Sequence, residues 1–233
     1  MVKRAIVVAI SVLLALVVAA PIATAQQSTK NPSLATLTAL WWDWAAATDP
    51  SPLEGNYAAE DDRCDGDFVD GVFFLAGSTS SGTVERTCTV PANTPLLFPV
   101  FNNICSEAWT DPISGEPSDP KPYPDCAKDL LKAGVEGESN MYATLDGKNL
   151  PIRRIASGSF EWTIGTGFDA FTDNDGSLLA AGKHEAASDG YWVYLPNGLN
   201  PGTYTLNFGG SFFAQPDGSF GFSPNVIYTL TVE

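Results

Sequence analysis

The densest group of residues able to recognise or cut something lies between positions 102 and 111. Asn102 and Asn103 offer two amides, Glu107 and Asp111 two carboxylates, and Trp109 an indole. Amides beside an aromatic ring suit a binding surface for a glycan or another polymer, the ring giving contact area and the amides fixing orientation. Two carboxylates about 5 to 9.5 Å apart would instead serve glycoside hydrolysis, which needs neither histidine nor metal. Glu161, between Phe160 and Trp162, is the third acid that could join such a pair. With 27 acidic residues in the chain some pairing of this kind arises by chance, so binding is the favoured reading. Arg86 completes the group. Val84, Arg86, Cys88 and Val90 fall on one face of a strand, so the guanidinium turns inward with the valines. There it needs a carboxylate or several carbonyls, and an internal strut is favoured over a ligand-facing cation.

Other chemistries find less support. Asp173-Asn174-Asp175-Gly176 resembles the middle of a calcium loop, yet Phe171 stands where the first ligand belongs and Gly182 where the closing Glu does. Asp173 and Asp175 are therefore weak metal candidates, an ordinary Asx turn is favoured, and a calcium-stabilised adhesion module is only the third function to consider. No other cofactor is indicated. The run Glu60-Asp61-Asp62 is broken by Arg63 and reads as a solvated acidic loop. His184 is the only histidine, and no G-x-S-x-G elbow accompanies it, so a serine triad lacks positive support.

Four cysteines, Cys64, Cys88, Cys105 and Cys126, occur without any C-x-x-C, which speaks against a redox motif or a zinc knuckle. They read as two disulfides. Three pairings are open, and the sequential one, Cys64 with Cys88 and Cys105 with Cys126, is expected because both loops it closes are rich in turn residues. The compartment follows from the N-terminus. Lys3 and Arg4, the apolar run from Ala5 to Ala20 and the sequence Ala23-Thr24-Ala25 make residues 1–25 a signal peptide, leaving 26–233 as one exported domain, extracellular or periplasmic. No later run reaches the length of a membrane span. The formal charge of −15 becomes about −17 once Lys3 and Arg4 leave with the signal. So acidic a surface repels phosphate backbones, which makes nucleic acid a poor partner.

The elements that must position these residues are mostly strands. Asp70 to Cys105 reads as three neighbouring antiparallel strands, GVFFLAG, TVERTCTV and LLFPVFNN, with the paired amides just past the end of the third. Met141 to Leu145 and Lys148 to Ile152 flank Asp146-Gly147, a two-residue hairpin signal. Phe160, Trp162 and Ile164 alternate with polar residues. Tyr191 to Leu195, Thr203 to Phe213 and Val226 to Val232 are further strands, while between Gly165 and Gly190 no pattern holds. Asn31-Pro32 starts an amphipathic helix to about residue 47 that buries Leu34, Leu37, Trp41 and Trp44 and leaves Trp42 off the stripe, exposed. Asp125 caps a short internal helix from Cys126 to about Ala133. The fold class is mainly β, an antiparallel β-sandwich of jelly-roll or Ig-like kind.

Taken in order, WWDW, the isolated Cys64, VFFLAG, RTCTVP, FPVFN, DGYWVYL and LNPGTYTLNF resemble a family of secreted bacterial proteins of uncharacterised function, over most of residues 40 to 232. The resemblance implies an exported, disulfide-pinned, β-rich domain and carries no catalytic residue with it. Val72-Phe73-Phe74 departs from the V-W-F of that family by one aromatic exchange. Together these readings favour a non-catalytic extracellular binding or structural domain for a glycan or other surface polymer, with Arg86, Asn102, Asn103, Glu107 and Trp109 at its site. A carboxylate-dependent glycan hydrolase using Glu107, Asp111 and Glu161 is the alternative.

Overall fold

The computed structural model describes residues 32–49, 51–53, 64–106, 122–136, 140–166, 168, 170–171, 179–215 and 217–233. The signal-peptide reading of residues 1–25 lies outside them. Residues 32–233 group as one compact unit.

Helix α1, Leu34–Ala47, starts later than the Asn31-Pro32 signal suggests. Ser33 is its N-cap and accepts from the Thr36 amide at 3.1 Å, supplying one of the partners that a first helical turn lacks. Leu37, Trp41 and Trp44 are buried as the stripe requires. Trp42 is a correction: it is 3% exposed, not a surface residue. Its ring meets Trp162 edge-on at 6.3 Å and lies 6.1 Å from Phe171, so the helix buries a face wider than one stripe.

Among the described residues, eleven strands form two mixed sheets packed as a sandwich. The first sheet takes β1 (Gly66–Val69), β2 (Val72–Leu75), β4 (Leu96–Ser106), β8 (Gly182–Leu195) and β7 (Arg153–Ile164), in that spatial order. In the second, β3 (Gly82–Val90), β11 (Pro224–Val232), β9 (Gly202–Ala214), β5 (Asn140–Leu145) and β6 (Lys148–Asn149) follow one another, and β10 (Phe220–Phe222) pairs with β9. The expectation of three neighbouring antiparallel strands at 70–105 is therefore corrected. The chain leaves the first sheet after β2, runs through β3 in the second and returns beside β2, so β4 lies parallel to β2. Strand β3 meets the C-terminal β11, also in parallel, along its whole length from Gly82 opposite Pro224 to Val90 opposite Val232.

Three apolar layers result. Phe73, Leu96, Phe98 and Val193 of the first sheet face Phe208, Val226, Tyr228 and Leu230 of the second. The outer face of the first sheet, with Phe74, Leu97, Trp162 and Trp192, is covered by the tryptophans of α1. Helix α2, Tyr123–Val135, packs Leu131 with Phe101 and Phe212. It begins earlier than Asp125 indicates, because Pro124 has the fixed φ that a first turn accepts, and Asp125 sits inside that turn where its charge suits the helix dipole.

Strand β8 is a further correction, since Gly182 to Gly190 shows no alternation yet continues the strand. Ala186 through Gly190 are buried in succession because both faces of this interior strand are covered, and such a strand carries no period-two signal. The disulfides pair as expected, Cys64 with Cys88 and Cys105 with Cys126. Asp146-Gly147 turns β5 into β6 with φ of 49° and 75°, the two positive angles of a tight hairpin.

Candidate functional site

Strand β4 positions the site. Its pairing with β8 shifts register between Pro99 and Phe101, a bulge that puts one extra residue into β4 and turns both Val100 and Phe101 towards the inside of the sandwich. Past the bulge, Asn102 shares the α1-facing side with Ile104, and Asn103 shares the inner side with Phe101 and Cys105. The amides thus stand inside the strand, on opposite faces, and not in a loop beyond its end.

On its other side β4 has little company. Strand β2 pairs with it only at Phe73 opposite Leu96 and Phe74 opposite Leu97. Then the chain turns away, held by the Ala76 amide on the Asp65 carbonyl at 2.9 Å and by the Trp41 indole on the Leu75 carbonyl at 2.9 Å. Among the described residues no strand pairs with this side of 98–106. A cleft of about 160 Å³ opens there. It is lined by every residue from Pro99 to Asn103. Side chains of a strand alternate between faces, so successive residues can line one cleft only if it follows the strand edge. One wall is made by Trp41, Trp42, Leu53 and Phe171, the other by Phe208, Phe213, Phe222 and Val226, and Ser78 and Thr79 stand at the point where β2 departs.

Polar groups in this cleft lack partners. The side-chain nitrogens of Asn102, Asn103 and Trp42 are buried without a hydrogen bond, as are the Trp192 indole nitrogen and the Ser188 hydroxyl on the adjoining β8. Gly190 makes room for two of them: a Cβ there would stand 2.5 Å from Asn102 Cβ and 2.9 Å from Trp192 Nε1. All five can donate, and buried donors of this kind cost free energy until an acceptor reaches them.

Arg86 is inward, as its strand face requires, but outside the cleft lining. Its Nε is 2.7 Å from Asp65, both side chains being 6% exposed. Nη1 donates to the carbonyls of Gly77 at 2.8 Å and Ala76 at 3.2 Å and to the Tyr228 hydroxyl at 3.1 Å. The Tyr228 hydroxyl bonds to the Asp65 and Ala76 carbonyls at 3.0 and 3.1 Å, and burial pushes its pKa up to about 12. This network locks the chain leaving β2 to strands β3 and β11. Arg86 therefore stands with the strut and not with the two asparagines.

Glu161 lies on the surface of β7, paired with Lys183 at 2.6 Å, both mostly exposed. The hydrogen bond to Glu161 raises the Lys183 pKa. Neither lines the cleft, whose described lining holds no carboxylate, histidine or cysteine. His184 Nε2 donates to the Ala180 carbonyl, 2.7 Å away. Glu107, Trp109, Asp111, Asp173 and Asp175 lie outside the described residues. Among those described, no group of three or more acidic, histidine or cysteine side chains is placed to hold a metal ion, and no helix is long and apolar enough to cross a membrane.

The walls of the cleft were missed by sequence reasoning. One signal pointed to them: Gly209-Gly210 in the middle of an otherwise aromatic strand, where a glycine marks close approach of another backbone. A side chain at Gly209 would run into the Pro224 carbonyl, and one at Gly210 into the Asn140 carbonyl.

Comparison with known proteins adds little. No family model matches the chain, and no curated protein matches it. A solved structure of PbICP-C in complex with falcipain-2 is similar at 11% identity over 69% of this chain and 98% of that one, with a TM-score of 0.21.

Proposed function

We propose that this protein is an exported binding domain without catalytic chemistry of its own, and that the cleft along β4 holds one residue of an extended, uncharged polymer, a glycan or another surface polymer. The observation that carries the reading is the set of unpaired donors on Asn102, Asn103 and Trp42 between aromatic walls. Donors without acceptors call for a ligand rich in hydroxyl or carbonyl oxygens, and rings supply its contact area. Anions are disfavoured by the charge of −15.

The volume narrows the choice further. A cavity of about 150 Å³ accommodates a benzene-sized group, whereas drug-sized ligands occupy roughly 300 to 1,000 Å³. A cleft of about 160 Å³ therefore suits a single unit of a longer chain. Two disulfides belong to an oxidising compartment, in keeping with export.

The test is a titration of isotope-labelled protein with soluble oligosaccharides and short peptides. At least one should move the side-chain amide signals of Asn102 and Asn103 and the Trp42 indole signal together, and Asn103→Ala should weaken that ligand. If no member of either panel moves them, the binding role is wrong.

A further inference from the structure

We infer that the outer face of the second sheet binds ice, and that two rows of threonine on β3, β11 and β9 make the contact. This goes beyond the polymer cleft and does not depend on it.

The pattern Thr-x-Thr occurs as Thr87-Cys88-Thr89, Thr203-Tyr204-Thr205 and Thr229-Leu230-Thr231. The fold brings the three together in register. Thr229 stands opposite Thr87 on one side and Thr205 on the other, and Thr231 stands opposite Thr89 and Thr203. The residues between them, Cys88, Tyr204 and Leu230, turn into the sandwich, so all six threonines share the outer face. Five of the six are exposed and Thr231 is half-buried. This face is therefore open to solvent, whereas α1 covers the outer face of the first sheet.

A grid of this kind has two fixed repeats. Neighbouring strands set about 4.7 to 4.9 Å in one direction, and two residues along a strand set about 6.6 to 6.8 Å in the other. The oxygens on a prism face of hexagonal ice repeat in two perpendicular directions at spacings close to these. Each threonine brings a hydroxyl that donates and accepts, as a lattice water does, and a methyl that adds apolar contact. Threonine is stiff at χ1, so the grid is ordered before it meets a crystal. Among the described residues none of the six hydroxyls has a partner in the protein, which leaves them to water.

Charge and aromatic content select this occupant. Charged groups hold hydration shells that do not fit an ice lattice, and although the chain carries 27 acidic residues, none interrupts the two rows. Glu85 enters only in the row beyond, beside Ile227 and Asn207. The rows also hold no aromatic ring, the group that would supply contact area to a sugar lattice.

To test this, a single ice crystal is held in a solution of the full-length protein and cooled slowly below its melting point. The crystal should become faceted and stop growing over a measurable temperature interval. Thr229→Tyr sets a ring in the middle of the grid while keeping strand propensity, and should abolish that interval with the denaturation midpoint unchanged. Thr87→Lys, which puts a charge into the same row, should abolish it as well. Asn149→Tyr, exposed on β6 away from the grid, should keep it. Rounded growth with no such interval, at every concentration up to the solubility limit, would overturn the inference, and so would an equal interval in Thr229→Tyr and Thr87→Lys. Threonine-dependent binding to crystalline chitin or cellulose without effect on ice would assign the face to a polysaccharide and overturn it. Self-association that Thr229→Tyr removes, again without effect on ice, would assign the face to a second copy and overturn it too.

Discussion

Replacing Arg86 with methionine would take from the buried Asp65 carboxylate the guanidinium that stands 2.7 Å from it. The change would also strip donors from the Ala76 and Gly77 carbonyls and from the Tyr228 hydroxyl. Breaking one side of a buried, hydrogen-bonded ion pair costs about 3 to 5 kcal/mol, because the stranded charge keeps its desolvation penalty. For a domain of this size that is a fall in melting temperature of roughly 6 to 20 °C. Asp65→Leu should cost a similar amount for the converse reason. The double variant, with both charges gone and apolar groups in their place, should recover most of the loss, and the recovery measures their coupling. Urea denaturation of the four proteins at one pH, with m-values compared, is the assay. If Arg86→Met changes stability by less than about 1 kcal/mol with m unaltered, the strut reasoning fails, and a loss of ligand response at Asn102 in that variant would assign Arg86 to the ligand instead.

Tyr228 gives a pH signature of the same network. Its pKa is pushed up to about 12 in the fold from 10.0, so the stability it contributes is complete below pH 10 and is lost as pH rises through the folded value. The loss is on the order of 2 to 3 kcal/mol, and denaturation at stepped pH should show it in the wild type and not in Tyr228→Phe. Trp42→Ala should cost about 3 to 5 kcal/mol in chemical denaturation, and Trp41→Ala about as much, and a cost below about 1 kcal/mol would return Trp42 to the surface. Gly190→Ala should destabilise by about 1 to 3 kcal/mol and shift tryptophan emission, since the new methyl meets Asn102 Cβ at 2.5 Å and Trp192 Nε1 at 2.9 Å. Unchanged emission and stability would show that the two side chains are not held there.

What the sequence determined by itself was local. The alternation in Thr203 to Phe213 and Val226 to Val232 marks strands because each has one face on the core, and they pair antiparallel from Gly202 opposite Val232 to Gly209 opposite Asn225. Asp146-Gly147 makes its hairpin because positive φ costs those residues little. Two turn-rich loops pointed to the disulfide pairing, and a charged residue among valines pointed to an inward Arg86 needing a carboxylate or several carbonyls, though not to Asp65, Ala76 and Gly77 in particular.

Tertiary structure decided the rest. Parallel pairing of β2 with β4 and of β3 with β11 depends on which sheet each segment joins, and alternation within a segment says nothing of its neighbour. Trp42 is buried because Trp162 and Phe171 reach it from elements more than a hundred residues away in the chain, beyond the period of any single helix. The bulge at Pro99, which separates Asn102 from Asn103 across the strand, and the cleft between walls from α1 and β9 arise only when both sheets are assembled. A residue's type limits what it can bind, and long-range packing determines what it is left free to bind.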